Sequence, residues 1–281
     1  MAKKTLLINP EGIEGCGKDS QVERMEVWLK GLGLKVRISR EPGGSEVGER
    51  IRQVLLYRDR TDPLQDDERH QIATLMDNLA ERIDGSGIDN VSALVDYVRT
   101  FRDRVDFDLQ IQVSLFVLAR LIHLDEVIVP YVRGETEDDV LILNRFWPST
   151  FAYQVCTDSR LTNDRSALVF TQELYGWHLQ YLESLGVDPI VIVLDLDPTI
   201  GLERVDRRGD GKSIYDLKPI EYHRSVRDGF LKVVQLHPAA TLRLRVCRPH
   251  RVDATPSIEA VAESIQKVLL PYLKELIPQA H

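Results

Sequence analysis

The chain has 281 residues, of which 43% are hydrophobic and 28% are charged, and its formal net charge is −8. The apolar fraction is ordinary for a folded protein and excludes a wholly disordered or fibrous chain. The negative charge argues against nucleic acid or an anionic membrane as a partner, so any polyanion must bind in a local basic pocket. No membrane span is predicted, because no apolar run approaches the roughly 18 residues that a span needs. No signal peptide is predicted either, because the apolar stretch before Asn9 is too short for one. Three scattered cysteines without CxxC spacing favour a reducing, cytoplasmic location over a disulfide framework or a zinc site.

Short apolar runs alternate with amphipathic stretches along the chain. Residues 5–8 form a continuous apolar run that is typical of a buried strand, and residues 34–39, 140–143, 189–194 and 242–246 predict further strands. A helical period follows the first strand and stops at Gly31, and Asp197 and Thr255, each before a proline, mark two later helix starts. Strands that alternate with helices predict an α/β fold, with a parallel sheet covered by helices on both faces.

Residues 57–108 break this alternation. The segment is dense in charged residues and is interrupted by Gly85-Ser86-Gly87, with apolar spacing on either side that suggests two helices. It is too short to form an independent core. We therefore expect a helical insertion within a single domain that spans residues 1–281.

A glycine-rich loop follows the first predicted strand and precedes a helix. Its pattern, GxxxxGK, is that of a P-loop. Glycines let backbone N–H groups converge on phosphate oxygens, the helix N-terminus adds its dipole, and the lysine adds a charge. The spacing GxxGxG excludes the dinucleotide fingerprint GxGxxG. The sequence thus predicts a P-loop NTPase-type fold and an ATP site formed by Gly12, Gly15, Cys16, Gly17, Lys18, Asp19 and Ser20.

Three segments in chain order resemble the motifs of bacterial thymidylate kinases. Residues 11–21 are similar to that family's P-loop, residues 40–45 to its second motif and residues 144–154 to its third. The resemblance covers about residues 5–57 and 110–270. It implies an ATP- and Mg²⁺-dependent kinase that transfers the γ-phosphate to a deoxynucleoside monophosphate, in the first place dTMP. Because the family is usually dimeric, a homodimer is an expectation of the same kind.

The acceptor side of such a kinase needs basic residues around the monophosphate. Arg40, Arg52 and Arg145 are candidates, since a guanidinium fork binds phosphate oxygens in pairs. The resemblance implies that Arg52 and Arg145 contact this phosphate and that Glu14 accepts the sugar 3′-hydroxyl.

The base pocket is predicted on a helix over residues 114–127. Phe116 and Arg120 are four residues apart and share one face of it. By resemblance, Phe116 stacks on the base and Arg120 bonds a thymine carbonyl, although a phenylalanine among leucines and valines is also typical of a plain core. The polar rim of the pocket is predicted from Ser149, Thr150, Tyr153 and Gln154.

A third arginine cluster precedes Gly209-Asp210-Gly211. Arg204, Arg207 and Arg208 share one helix face, which by spacing alone is either a solvated basic face or a functional one. The resemblance implies a lid at about residues 204–216 whose arginines neutralise phosphate charge in the transition state. It does not indicate which arginine reaches the phosphates.

Two residues depart from the family pattern. Asp19 stands where the family has a hydroxyl, and Asn144 stands where it has a carboxylate. If both flank Mg²⁺, the carboxylate has moved from one strand end to the P-loop and can still serve the ion. Alternatively, a carboxylate beside ATP repels its phosphates. Two other hypotheses therefore stay open: a kinase for another, modified pyrimidine nucleotide, and a catalytically silent nucleotide-binding or regulatory relative.

Overall fold

The computed structural model describes residues 6–45, 48–49, 51–52, 74, 109–157, 185, 189–208, 213, 215–235, 249–274 and 276. Within these residues, one sheet of five parallel strands forms the centre of the fold. Its order is β2-β3-β1-β4-β5. The strands are β1 (Leu6–Gly12), β2 (Val36–Arg40), β3 (Val140–Asn144), β4 (Ile190–Asp195) and β5 (His250–Asp253).

Strand β1 is the axis of the sheet. It pairs with β3 through Leu6 and Val140 and with β4 through Gly12 and Leu194. All seven of its residues are buried, as expected for a strand covered on both faces. The chain leaves β1 toward one side of the sheet for β2 and reaches β4 on the other side. This reversal leaves a crevice beyond the carboxyl end of β1, where ligands bind in α/β sheets of this kind.

Seven helices of the described residues pack around the sheet. Helix α1 follows the first strand, α6 packs on β1, β4 and β5, and α7 packs against α1. Five-residue π-helical turns, 124–128 and 151–155, join α2 to α3 and extend α4. The helices are α1 (Lys18–Gly31), α2 (Leu109–His123), α3 (Val129–Val132), α4 (Trp147–Thr150), α5 (Pro198–Arg208), α6 (Ile220–Gln235) and α7 (Ile258–Leu273).

These elements confirm the predicted α/β class with its parallel sheet. Helix α1 ends at Gly31 as expected, and α5 begins where Asp197 Oδ1 accepts the N–H of Thr199 at 2.8 Å. The last helix begins later than predicted, at Ile258, because Ser257 caps it by accepting the N–H of Ala260.

Two sequence predictions fall outside the described residues. The predicted strand at 242–246 is one of them and stays a prediction. Separately, the sheet contains β5 at 250–253, which the sequence did not indicate. Only Val252 of β5 is buried, so this strand carries almost no hydrophobic pattern. The other is the predicted insertion at 57–108, of which only Thr74 is described. In the described ranges, no helix combines the length and the apolar content needed to cross a membrane.

Candidate active site

A cleft of about 560 Å³ opens beyond the carboxyl ends of β1 and β3. Its walls come from the loop after β1, the end of β2, α2, α4 and the end of α5. Segments that are distant in sequence therefore meet at the crevice that the strand order creates.

The loop after β1 forms one end of the cleft. Gly15 and Gly17 have φ angles of 72° and 84°, in the left-handed region that favours glycine. A Cβ atom on Gly15 would lie only 2.6 Å from the carbonyl carbon of Gly201, so α5 packs directly on this loop. Gly17 precedes α1 and supplies no side-chain cap. The first N–H groups of α1 are thus available to an anion in the cleft.

Lys18, Asp19 and Asn144 form one hydrogen-bonded triangle. Lys18 Nζ donates to Asp19 Oδ1 at 2.9 Å and also to Asn144 Oδ1, while Asn144 Nδ2 donates to Asp19 Oδ1 at 2.8 Å. The two residues that depart from the family pattern are therefore in direct contact. Burial, assisted by the charge of Arg145, lowers the pKa of Lys18, and Asp19 opposes that change.

Asp19 fits the oxygen chemistry of a magnesium site. Its partial burial acts to raise its pKa, but Lys18 and Asn144 hold the pKa below its usual range, so the carboxylate is ionised at neutral pH. The side chain is 69% exposed and can reach a bound ion. The part of the chain that the structure describes holds no cluster of three or more His, Cys, Asp or Glu residues suited to a metal. One carboxylate, completed by phosphate oxygens and water, is a common environment for Mg²⁺.

Arg145 lies next to this triangle, at the end of β3. Its backbone has φ 72°, a left-handed conformation that costs about 1–3 kcal/mol in a non-glycine residue and is maintained by its surroundings. The guanidinium donates to the carbonyl of Gly12 at 3.3 Å and to Ser149 Oγ at 3.1 Å. It also lies 5.0 Å from the ring centre of Tyr153. Burial acts to lower the pKa of Arg145, but Tyr153 and nearby carboxylates raise it overall. The guanidinium therefore stays positively charged.

Glu14 lies beside Arg145 in the lining of the cleft. Its Oε1 accepts the hydroxyl of Tyr153 at 2.6 Å and lies 3.5 Å from Arg145 Nη2. Its Oε2 lies 3.6 Å from Nδ1 of His223, a buried residue of α6. Burial acts to raise the pKa of Glu14, but His223, Arg145 and Tyr153 together lower it. The sequence did not indicate His223, which lies within an ordinary helical pattern.

Arg120 occupies the wall made by α2. Its Nε donates to Glu41 Oε2 at 2.7 Å and its Nη2 donates to Thr150 Oγ1 at 2.9 Å. The side chains of Arg120 and Glu41 are 4% and 3% exposed. Burial acts to raise the pKa of Glu41, and Arg120 and His123 lower it overall. Phe116 lies one turn before Arg120 and also lines the cleft.

A further buried carboxylate, Glu11, links β1 to α4. It accepts the N–H of Phe146 and the hydroxyl of Ser149, each at 2.6 Å, and the side-chain amide of Asn9 at 3.2 Å. Burial raises the pKa of Glu11, and Arg145 and these donors oppose the rise. Glu11 therefore fixes the segment that carries Arg145 and Ser149. The sequence indicated it only as a part of the first motif.

The other predicted acceptor arginines line the cleft with partners of their own. Arg40 forms a two-pronged ion pair with Glu49 at 2.9 and 2.8 Å. Arg52 donates to the carbonyl of Pro42 at 3.0 Å. Other predicted residues that line the cleft are Cys16, Ser20, Ser149, Thr150, Tyr153 and Gln154. Gly12 is not among the lining residues, and its carbonyl accepts a hydrogen bond from Arg145.

The three arginines of the predicted lid region point to different surroundings. Arg208 lines the cleft. Arg207 pairs with Glu203 at 3.2 Å on an exposed surface. Arg204 donates to the carbonyls of Gly15 and Ala254 at 3.4 and 3.3 Å, away from the cleft lining. The region also contributes Tyr215, whose hydroxyl accepts a hydrogen bond from Gln154 at 3.1 Å.

Comparison with known proteins gives a consistent answer. A family model described as "Thymidylate kinase" matches residues 11–85. The thymidylate kinase of Nostoc punctiforme is 27% identical over 273 residues, which cover 96% of this chain and 98% of the relative. That of Deinococcus radiodurans is 29% identical, with 87% and 90% covered. That of Acholeplasma laidlawii is 26% identical, with 95% and 100% covered. The chain is thus similar to thymidylate kinases over most of its length.

Proposed function

We propose that the protein is a thymidylate kinase, which transfers the γ-phosphate of ATP to dTMP and releases dTDP and ADP. One observation carries the proposal: cationic groups suited to two phosphate ligands meet in a single cleft. One cation is Lys18 of the glycine-rich loop, which donates a hydrogen bond to Asn144. The other is Arg145, the residue after Asn144, which lies beside Glu14. A phosphoryl transfer needs a donor and an acceptor held end to end, and two adjacent cationic sites in one cleft would suit that arrangement.

On the donor side, the N–H groups at the start of α1 and the Lys18 ammonium would bind the ATP phosphates. Arg208 lines the same cleft and would neutralise charge that develops during transfer. Asp19 would hold Mg²⁺ together with phosphate oxygens and water. When bound, that ion supplies positive charge to the phosphate oxygens.

On the acceptor side, Arg145 and Arg52 would bind the phosphate of dTMP, and Glu14 would accept the sugar 3′-hydroxyl. Phe116 would stack on the base. Arg120 would donate to a thymine carbonyl, since a guanidinium has donors and no acceptor. An oxygen of the dTMP phosphate then attacks the γ-phosphorus of ATP. The bond from this phosphorus to the bridging oxygen breaks, and ADP leaves with the bond's electron pair.

The experiment that tests the proposal is ADP release from ATP and Mg²⁺ with a panel of nucleoside monophosphates. We expect turnover with dTMP, weaker turnover with dUMP, and little with dCMP or dGMP. A panel without any turnover would contradict the proposed activity. A preference for a base without a carbonyl at the position of thymine O4 would contradict the proposed substrate.

The proposal includes two features that only the resemblance and the composition support. One is a homodimer, which light scattering tests. A measured mass equal to one chain would contradict the homodimer. The other is a cytoplasmic location without nucleic acid or membrane as a partner, as the net charge of −8 favours.

A further inference from the structure

We propose that His123 is a positioning residue that sets the base preference of the acceptor site by holding Glu41 against Arg120. The inference rests on the proposed function, since it concerns how the predicted thymine-reading arginine is oriented. His123 itself lines no part of the cleft and would not touch the nucleotide.

The hydrogen bonds define a chain from β2 to the cleft. Glu41 Oε1 lies 2.8 Å from His123 Nδ1, and Glu41 Oε2 accepts from Arg120 Nε at 2.7 Å. An ionised carboxylate only accepts, so Nδ1 of His123 must carry the proton of this bond. The other ring nitrogen, Nε2, lies 2.6 Å from Ser39 Oγ. Each carboxylate oxygen of Glu41 therefore has one fixed donor.

Burial makes this arrangement consequential. His123 is 0% exposed and Glu41 is 3% exposed. A buried carboxylate oxygen without a donor is strongly unfavourable. If the imidazole were removed, Glu41 would turn toward another donor, and Arg120 would lose the orientation of its Nε edge.

The same imidazole supports the turn that follows Glu41. A Cβ atom on Gly44 would lie 2.8 Å from His123 Nε2 and 2.6 Å from Ser39 Oγ, so the turn packs closely over the ring. The turn carries the carbonyl of Pro42, which accepts from Arg52 at 3.0 Å. The ring thus lies behind both the base-reading and the phosphate-binding arginines.

The orientation of Arg120 has a direct consequence for selectivity. Within the described residues, its hydrogen bonds use Nε and one N–H of Nη2, so the remaining N–H groups on Nη1 and Nη2 are left for a base. A guanidinium N–H that is aimed at the base favours a pyrimidine carbonyl, which accepts a hydrogen bond. It disfavours the amino group of cytosine, because the guanidinium and that amino group are both donors. A mobile guanidinium would discriminate less well.

The test compares His123→Leu with His123→Asn. We expect His123→Leu to raise KM for dTMP and to lower the preference for dTMP over dCMP, each by roughly tenfold, the effect of one lost charge-assisted hydrogen bond. KM for ATP should stay unchanged. In His123→Asn, the amide nitrogen takes the place of Nδ1 and should recover most of the preference. An unchanged preference in His123→Leu would overturn the proposal.

A double-variant cycle separates positioning from general structural support. Once Arg120→Ala has removed the guanidinium, His123→Leu should not change the dTMP:dCMP preference further. Additive effects on the preference would overturn the proposal. If His123→Leu does not fold by circular dichroism, Glu41→Gln takes its place in the cycle under the same criteria.

Failure of the unchanged protein to turn over dTMP would refute the proposed function and this inference together. Normal dTMP turnover whose preference is indifferent to these changes would refute the inference alone.

Discussion

The two ends of the cleft are built in different ways. The proposed donor end is a continuous loop, from Gly12 to Lys18, which offers mostly backbone N–H groups and one ammonium to a ligand. The proposed acceptor end is assembled from β2, α2, β3 and α4, and its Arg120 and Arg145 donate to side-chain oxygens of neighbouring elements. The difference lies in what fixes the geometry: backbone conformation at one end, and buried carboxylates at the other.

Three glutamates, of which Glu11 and Glu41 are buried and Glu14 is partly buried, hold the arginines and the backbone of the proposed acceptor end. Glu41 holds Arg120, Glu14 faces Arg145, and Glu11 fixes the segment after β3. A guanidinium is useful for recognition only when its plane is oriented, and a buried carboxylate can orient it. The donor end needs no such partner, because a P-loop lysine acts as a point charge.

Removal of the donor charge should have the largest effect on turnover. We expect Lys18→Ala to lower turnover by about 10²–10³-fold, as for the loss of one group that stabilises developing charge. The fold should persist, since the backbone of the loop is unchanged. Lys30→Ala is the matched control, because Lys30 is exposed and pairs with Glu26 on the same helix. Equal turnover by the two variants would contradict the P-loop assignment.

The acceptor arginines come next. Arg145→Ala and Arg52→Ala should each raise KM for dTMP by about 10–100-fold, since one charge-assisted contact is worth about 1.5–3 kcal/mol. KM for ATP should change much less. Arg24→Ala serves as the control, because this arginine is exposed, pairs with Glu259 and does not line the cleft. Normal dTMP affinity in both acceptor variants would show that the resemblance fails at these positions.

The glycine-rich loop could be predicted from the sequence, but the hydrogen-bond network at Glu41 could not. The loop was readable because its glycines and Lys18 are contiguous and lie between a strand and a helix. The network at Glu41 could not be predicted, because Arg120 and His123 lie 79 and 82 residues away in the sequence. Polar contacts of this kind produce no periodic pattern in the sequence. Phe116 and Arg120 were placed on one helix by spacing alone, but their roles came from the resemblance and stay predictions. Burial of the ion pairs could not be inferred from a list of charged residues.

Substitutions at Asp19 and Asn144, which lie between the two ends, should have an intermediate effect on turnover. If Asp19 has taken over the metal-binding carboxylate, Asp19→Ser should lower Mg²⁺-dependent turnover by roughly tenfold, and adding Asn144→Asp should restore part of it. The coupling should be strongly non-additive, because the residues contact each other and would serve one ion. Turnover against Mg²⁺ concentration for the four proteins provides the measurement. Full activity that is indifferent to Asp19→Ser would contradict this role, and activity confined to the double variant would indicate a silent relative.

The smallest effect on turnover is expected at a buried carboxylate outside the cleft. Asp195 is held by Arg227 and Arg251 at 2.7 and 2.5 Å. Burial acts to raise the pKa of Asp195, but the two arginines lower it below its ordinary value near 3.8. A lowered folded-state pKa stabilises the fold above about pH 4, and this stability is lost as the pH falls through the folded-state pKa. Asp195→Asn should therefore unfold at lower temperature near pH 7 and lose less stability on acidification than the unchanged protein. Parallel pH profiles of the two proteins would contradict this.

The most direct test of the two-ended cleft is equilibrium binding of ATP and of dTMP, measured separately by calorimetry. Lys18→Ala should weaken ATP binding and leave dTMP binding nearly unchanged, and Arg145→Ala should do the reverse. This crossed pattern is what separate donor and acceptor ends predict. If both substitutions weakened the same nucleotide alone, or if dTMP binding depended on Lys18 as strongly as ATP binding does, the account of the cleft would be wrong.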